Sequence, residues 1–262
     1  MLKSPGHISG TRLERLASLD STNEEAMRRA RAGDPGGLWI VADAQTSGRG
    51  RHGRVWTSPH GNLAASLLLI DPAPSASAPQ LGFVAGVALA SAVADLMPGR
   101  RAPQLKWPND LVAHGAKLSG LLLEASQISG GRLACVIGFG VNVLAHPDGL
   151  PYAATSLRAL GCDATATDLM ENLRKQMALW LERWQGGTNF EAVRTAWLSH
   201  AAGLGREIRV VSGSREVEGV FRTLDATGQL IMDTKAGPEM IAAGEVFLPR
   251  TATGDVAAGR EM

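Results

Sequence analysis

Seven consecutive residues, Gly48-Arg49-Gly50-Arg51-His52-Gly53-Arg54, put three guanidiniums and three glycines side by side, and no acid stands between Asp43 and Asp71 to neutralise them. Glycine lets the backbone fold closely around an anion and present N–H groups, while the arginine fork matches phosphate and carboxylate oxygens. An anion site is the natural reading, although a solvated arginine-glycine segment or a weak RNA-binding patch has the same composition. A second group, Lys106-Trp107-Pro108-Asn109-Asp110, gathers a lysine, an amide and a carboxylate around a proline that fixes the local backbone. Oxygen donors beside a lysine suit a phosphate chain with its magnesium ion, Asn109 being the metal candidate, and a capped Asn-Asp turn has the same look. Lys117-Leu118-Ser119-Gly120 with Glu124 is a third group, and Gly138-Phe139-Gly140-Val141-Asn142 a fourth. The last lacks the third glycine and the following helix of a dinucleotide fingerprint. Its small residues are read instead as letting a ligand lie against a strand, with Asn142 as a polar contact.

These groups need a scaffold, and hydrophobic periodicity supplies one. Residues 11–19 read as a short strand and residues 23–32 as a helix with acids first and bases last. Residues 38–42 and 63–70 are β-rich runs, expected to be neighbouring strands joined by the polar, glycine-rich loop 46–58. After a connection at 72–79, a helix is expected over 80–97, then strands over 104–107, 110–112, 118–124 and 133–143. Residues 167–200 carry apolar positions at helical spacing and read as two amphipathic helices, with Trp180, Trp184 and Trp197 assigned to the core. Beyond Gly205 the runs 207–211, 217–224, 230–233 and 243–248 suggest a small barrel. The fold class is therefore α+β, a mixed-sheet domain over 11–203 and a small β-domain over 204–250, with residues 251–262 expected to be a disordered tail.

Composition narrows the function classes. The 262-residue chain is 45% hydrophobic and 19% charged, so it can bury a sizeable core, and its formal net charge of +1 gives no global field for nucleic acid or an anionic membrane. Any basic site must be local. Cys135 and Cys162 show no metal spacing, the first ten residues lack the apolar stretch of a signal peptide, and the apolar run 81–94 is shorter than the roughly 18 to 20 residues needed to cross a bilayer. A cytoplasmic location without membrane contact is expected.

Taken in order, Ser21-Thr22-Asn23, Gln45 with the loop from Gly48 to Trp56, the K-W-P-N-D run, Lys117 to Gly120 and Gly138 to Asn142 resemble the biotin–protein ligase family. The resemblance covers residues 11–250, and the pairing of G-R-G-R-x-G-R-x-W with K-W-P-N-D is highly specific. It implies a biotin/lipoate ligase-type catalytic domain followed by a small SH3-like β-barrel. It also implies activation of biotin by ATP to biotinyl-5′-adenylate, then transfer to a lysine of a biotin carboxyl carrier domain of acetyl-CoA carboxylase or a related carboxylase. By that match Ser21, Thr22, Asn23 and Gln45 would meet the ureido head of biotin, and Arg49, Gly50 and Arg51 would close over its chain and carboxylate. Lys117 would sit at the reacting carboxylate and phosphate, with Arg51 and Arg54 on the ATP phosphates as further catalytic groups. Lys106, Asn109 and Asp110 would organise phosphate and magnesium, and Asn142 would lie near the nucleotide. Trp56 either walls the nucleotide pocket or packs in the core. The chain begins at the catalytic domain, so the ligase-only type without an N-terminal helix-turn-helix, and no DNA partner, is expected; family members often pair through a sheet edge, which makes a homodimer an expectation too. The nearest rival is a lipoate ligase or octanoyltransferase, and a rival of another class is an RNA binder with steeply salt-dependent affinity.

Overall fold

The computed structural model describes residues 11–248, so Arg250 and the expected tail at 251–262 lie outside the described residues. A seven-stranded sheet is built from β1 (Arg12–Leu19), β2 (Leu38–Gln45), β3 (Leu63–Ile70), β4 (Gln104–Lys106), β5 (Asp110–Ala113), β6 (Ala116–Ile128) and β7 (Arg132–Val141), in the order β1-β2-β3-β7-β6-β5-β4. Only β1 and β2 run parallel, because helix α1 (Thr22–Arg31) carries the chain back between them; every other pairing is antiparallel.

Alternate residues of the central strands face two different cores, which is why β3 reads as an apolar run, interrupted only by Ser66, rather than as an alternation. Leu38, Ile40, Leu68 and Val136 pack under Ala26, Met27 and Ala30 of α1. Trp39, Leu67, Leu69, Ile137 and Phe139 face the other way, onto the larger core under α2 (Leu81–Leu96), α3 (Ala166–Trp184) and α4 (Phe190–Ser199). Trp180, Trp184 and Trp197 are buried there, as expected of core residues. A 3-10 turn over Ser75–Gln80 runs straight into α2, making a 22-residue apolar stretch long enough to cross a membrane by length and composition. Two thirds of its most apolar window is buried inside the protein, so it serves as a core helix.

The second sheet joins β8 (Glu207–Ser212), β9 (Arg215–Leu224), β10 (Leu230–Thr234), β11 (Gly237–Ile241) and β12 (Glu245–Phe247) in the order β11-β10-β9-β8-β12. Edge strands β11 and β12 are consecutive in the chain, with only Ala242, Ala243 and Gly244 between them. A link that short reaches about 14 Å at most, whereas the edges of a flat five-stranded sheet stand about 19 Å apart. The sheet must therefore curl towards a barrel. Sequence reading misses β11 because Gly237-Pro238 looks like a turn; proline is tolerated here because the strand lies at an edge. It also cuts β6 short, at Glu124 rather than Ile128, where the apolar run gives way to polar residues on a half-exposed strand.

Candidate active site

One cleft of about 1770 Å³ opens where the large sheet meets the small one, and it is lined by nearly every residue singled out from sequence. That volume exceeds the roughly 300–1,000 Å³ that holds one small ligand, leaving room for two side by side.

One end of the cleft is a polar network at the start of α1. Ser21 stands at the N-cap without a side-chain cap bond; Gln45, at the end of β2, substitutes for it by accepting from the Thr22 backbone N–H at 2.8 Å. Ser66, a fully buried hydroxyl on β3 that sequence reading missed in its apolar run, lies 2.7 Å from Thr22 Oγ1 and donates to Asn23 Oδ1 at 2.6 Å. Asn23 spends both amide hydrogens, on Glu124 Oε2 at 2.7 Å and on the Leu122 carbonyl at 3.2 Å. Its remaining capacity is as an acceptor. Gly138 makes this possible, because a Cβ there would overlap the Asn23 amide.

The arginine loop closes on itself above this network. Arg49 bridges Val55, the Gly50 N–H donates to the Arg54 carbonyl at 2.7 Å, and the Trp56 N–H donates to Gly48 at 2.9 Å. Its three guanidiniums have different fates. Arg49 is paired with Glu24 and faces Glu124 at 3.4 Å. Arg54 grips Glu245 of β12 with two bonds, of 3.0 and 2.5 Å, which holds the Glu245 carboxyl below its ordinary value and raises Arg54. Arg51 makes no ion pair among the described residues: it donates to the neutral Asn109 Oδ1 at 3.1 Å and the Gly244 carbonyl at 3.4 Å. Half-buried, its guanidinium is pulled below its usual value by desolvation, against the pull of Asp110 and Glu245. Asp110 and Glu245 act on it only from a distance, with no carboxylate in direct contact.

Two lysines share one carboxylate next to it. Lys117 Nζ is 2.7 Å from Asp110 Oδ1 and Lys106 Nζ is 3.3 Å from Oδ2, so this cluster also carries excess positive charge. Lys117 lies 5.7 Å from the Trp56 ring and 5.5 Å from that of Tyr152, a residue whose role the sequence did not suggest. Its backbone is pinned on both sides, N–H to Ala153 at 2.8 Å and carbonyl from Thr155 at 2.9 Å. Trp56 lies in the cleft, its indole packed against Gly140, where a Cβ would overlap the ring. Gly140→Ala should displace the indole and, with it, the Trp56–Gly48 closure. Amide exchange over residues 48–56 is expected to accelerate severalfold; unchanged exchange would mean the loop does not depend on that packing.

Two sequence expectations need correcting. Asn142 does not line the cleft: it is buried, and its amide donates to the Thr155 carbonyl at 3.0 Å. It thus holds the segment that pins Lys117, one layer behind the site. Asn109 is a poor metal ligand, since its oxygen already receives Arg51 and its nitrogen donates to the Leu121 carbonyl at 2.7 Å. A cation there would meet a guanidinium, and Asp110 is occupied by two ammonium groups. Among the described residues no cluster of three or more histidine, cysteine or acidic side chains could hold an ion. By themselves the described side chains do not enclose a metal ion, magnesium being held largely by water and substrate phosphates, and no step below runs through it.

Residues 16–142 match the Biotin/lipoate A/B protein ligase family and residues 203–248 the Biotin protein ligase C terminal domain. A biotin–[acetyl-CoA-carboxylase] ligase of Paracoccus denitrificans is 39% identical over 88% of this chain and 98% of its own length. The chain belongs to the biotin protein ligase family. A second biotin–[acetyl-CoA-carboxylase] ligase, from Mycobacterium tuberculosis, is 32% identical over 92% of this chain and 91% of its own. The solved biotin protein ligase of Aquifex aeolicus, in complex with biotin and ATP, superposes with a TM-score of 0.78 at 29% identity, covering 92% of this chain and all of that one. Membership in the biotin protein ligase family fits a cleft with a polar end, a cationic centre and room for two ligands. The match of the curled second sheet to the C-terminal domain of biotin protein ligases also favours this branch over the lipoate enzymes.

Proposed function

We propose that this chain is an ATP-dependent biotin–[acetyl-CoA-carboxylase] ligase whose cationic cluster joins two anions. A biotin carboxylate oxygen attacks the α-phosphorus of ATP, the bond to the bridging β-phosphate oxygen breaks, and pyrophosphate leaves. The ε-amine of a carrier lysine then attacks the acyl carbon of the adenylate, releasing AMP and a proton. The mixed anhydride is already activated, so no covalent enzyme intermediate is required, and both free cysteines are buried.

The first step brings like charges together, and at about 4 Å each such pair costs roughly 4 kcal/mol at an effective dielectric near 20. Fixed cations are the remedy. The observation that carries the reading is the surplus charge at one point: Arg51 without an ion pair among the described residues, beside Lys106 and Lys117 sharing Asp110. We assign Lys117 and Arg51 to the reacting carboxylate and α-phosphate, and Arg54 and Lys106 to the outgoing phosphates. Ser21, Thr22, Asn23 and Gln45 take the ureido head, whose N–H groups suit the acceptor left on Asn23. Arg49 and Gly50 close over the valeryl chain, and Trp56 walls the nucleotide side. The acceptor is a carboxylase carrier domain, and the reducing cytoplasm suits a chain with two unpaired thiols.

Incubating the protein with labelled biotin, ATP, magnesium and a carrier domain should place label on one carrier lysine. A folded protein that releases no pyrophosphate from biotin plus ATP would overturn the assignment, and transfer of lipoate in preference to biotin would redirect it. A loop this rich in glycine and like charge should order further around the intermediate. Exchange of amides 46–56 is expected to slow at least severalfold with biotin plus ATP; no change would refute closure.

A further inference from the structure

The polar end of the cleft and the arginine loop meet at one side chain that the reaction above leaves without a task. Glu124, on β6, presents one carboxylate oxygen to Asn23 Nδ2 at 2.7 Å and the other towards Arg49 Nη2 at 3.4 Å. No hydrogen bond joins Asn23 to Arg49 directly among the described residues; the carboxylate is their common partner. Its position is set by both neighbours. The far side of the Asn23 amide is fixed by the buried Ser66 hydroxyl at 2.6 Å, so a ligand that loads Asn23 Oδ1 polarises an amide whose hydrogen already points at Glu124. Arg49, shared between Glu24 and Glu124, is the first guanidinium of the loop.

The geometry points to Glu124 as a positioning residue that couples occupancy of the head pocket to the arginine loop. It touches neither substrate; it transmits between a residue that would hold the ureido head and one that would close over the chain. This rests on the reading of the cleft as a biotin site. Coupled residues give non-additive effects when both are changed, and independent ones give additive effects.

The test is a double-mutant cycle on biotin affinity, read by calorimetry without ATP. In the otherwise unchanged protein, Asn23→Ala and Arg49→Ala should combine non-additively, their joint effect on Kd departing from the product of the single effects by about threefold or more. Repeated in Glu124→Gln, which keeps the shape and an acceptor for Asn23 but removes the charge facing Arg49, the same pair should become additive within about a factor of two. Glu124→Gln lies on a half-exposed stretch and is expected to keep its thermal midpoint, and Glu124→Asp should restore part of the coupling. Additivity before the glutamate is changed, or coupling that survives Glu124→Gln undiminished, would overturn the inference while leaving the function intact. Failure of the unchanged protein to bind biotin would instead overturn the functional reading and this one with it.

Discussion

Arg51→Ala is expected to slow formation of the adenylate by about 100-fold or more, the size of effect seen when one preorganised donor to a transition-state oxygen is removed. The prediction distinguishes among three arginines that look equivalent in sequence. Arg49 and Arg54 are already partnered by carboxylates, so part of what their removal costs is the release of Glu24, Glu124 or Glu245. Arg51 is held only by neutral oxygens, in a half-buried place where desolvation works against its charge. An incoming phosphate or carboxylate offers the direct ion pair that Asp110 and Glu245, acting from a distance, do not make. The loss should therefore appear chiefly in the rate of the chemical step, measured as single-turnover pyrophosphate release with both substrates saturating. Arg51→Lys should recover only part of it, since an ammonium cannot reproduce the planar fork. A variant that turns over at the unaltered rate would remove Arg51 from the mechanism and leave the surplus charge of this cleft unexplained.

The path from sequence to site was short where chemistry is local and long where it is made by packing. The loop 48–56 and the run from Lys106 to Asp110 could be read directly, because glycine, arginine and proline constrain the backbone and charge wherever they stand. The strands around them are legible as β-rich runs bounded by polar and glycine-rich segments. Ser66 was invisible, since a serine inside Leu63–Ile70 looks like a break in an apolar run until Asn23 is seen against it. Glu245 was equally hidden: nothing in the sequence says that β12 turns back to meet Arg54, because that depends on how the second sheet curls. Asn142 was misplaced for the converse reason. Its polar side chain at the end of an apolar strand looked like a ligand contact, but the chain returning through Thr155 supplies the carbonyl that takes it.

Trp107→Ala should cost about 3–5 kcal/mol of stability, the range for deleting a large buried aromatic. The indole is 2% exposed and belongs to the main core under α2. Its Nε1–H donates at 3.1 Å to the carbonyl of Gly228, in the turn between β9 and β10, so one side chain ties the large sheet to the small one. Gly228 itself lies against Phe83 of α2, leaving no room for the turn to move inwards and fill the void. Trp107→Phe separates the two contributions: it keeps most of the packing and loses the hydrogen bond, for about 1–3 kcal/mol if the carbonyl is left unsatisfied. Urea titration of both variants measures this directly, and a shift below about 1 kcal/mol for the alanine variant would refute the packing argument. Because Lys106, Asn109 and Asp110 flank Trp107 where β4 passes into β5, the tryptophan anchors the phosphate end of the cleft from beneath. Loss of activity in Trp107→Ala should therefore accompany loosening of residues 225–229 in amide exchange, even under conditions where the protein remains folded.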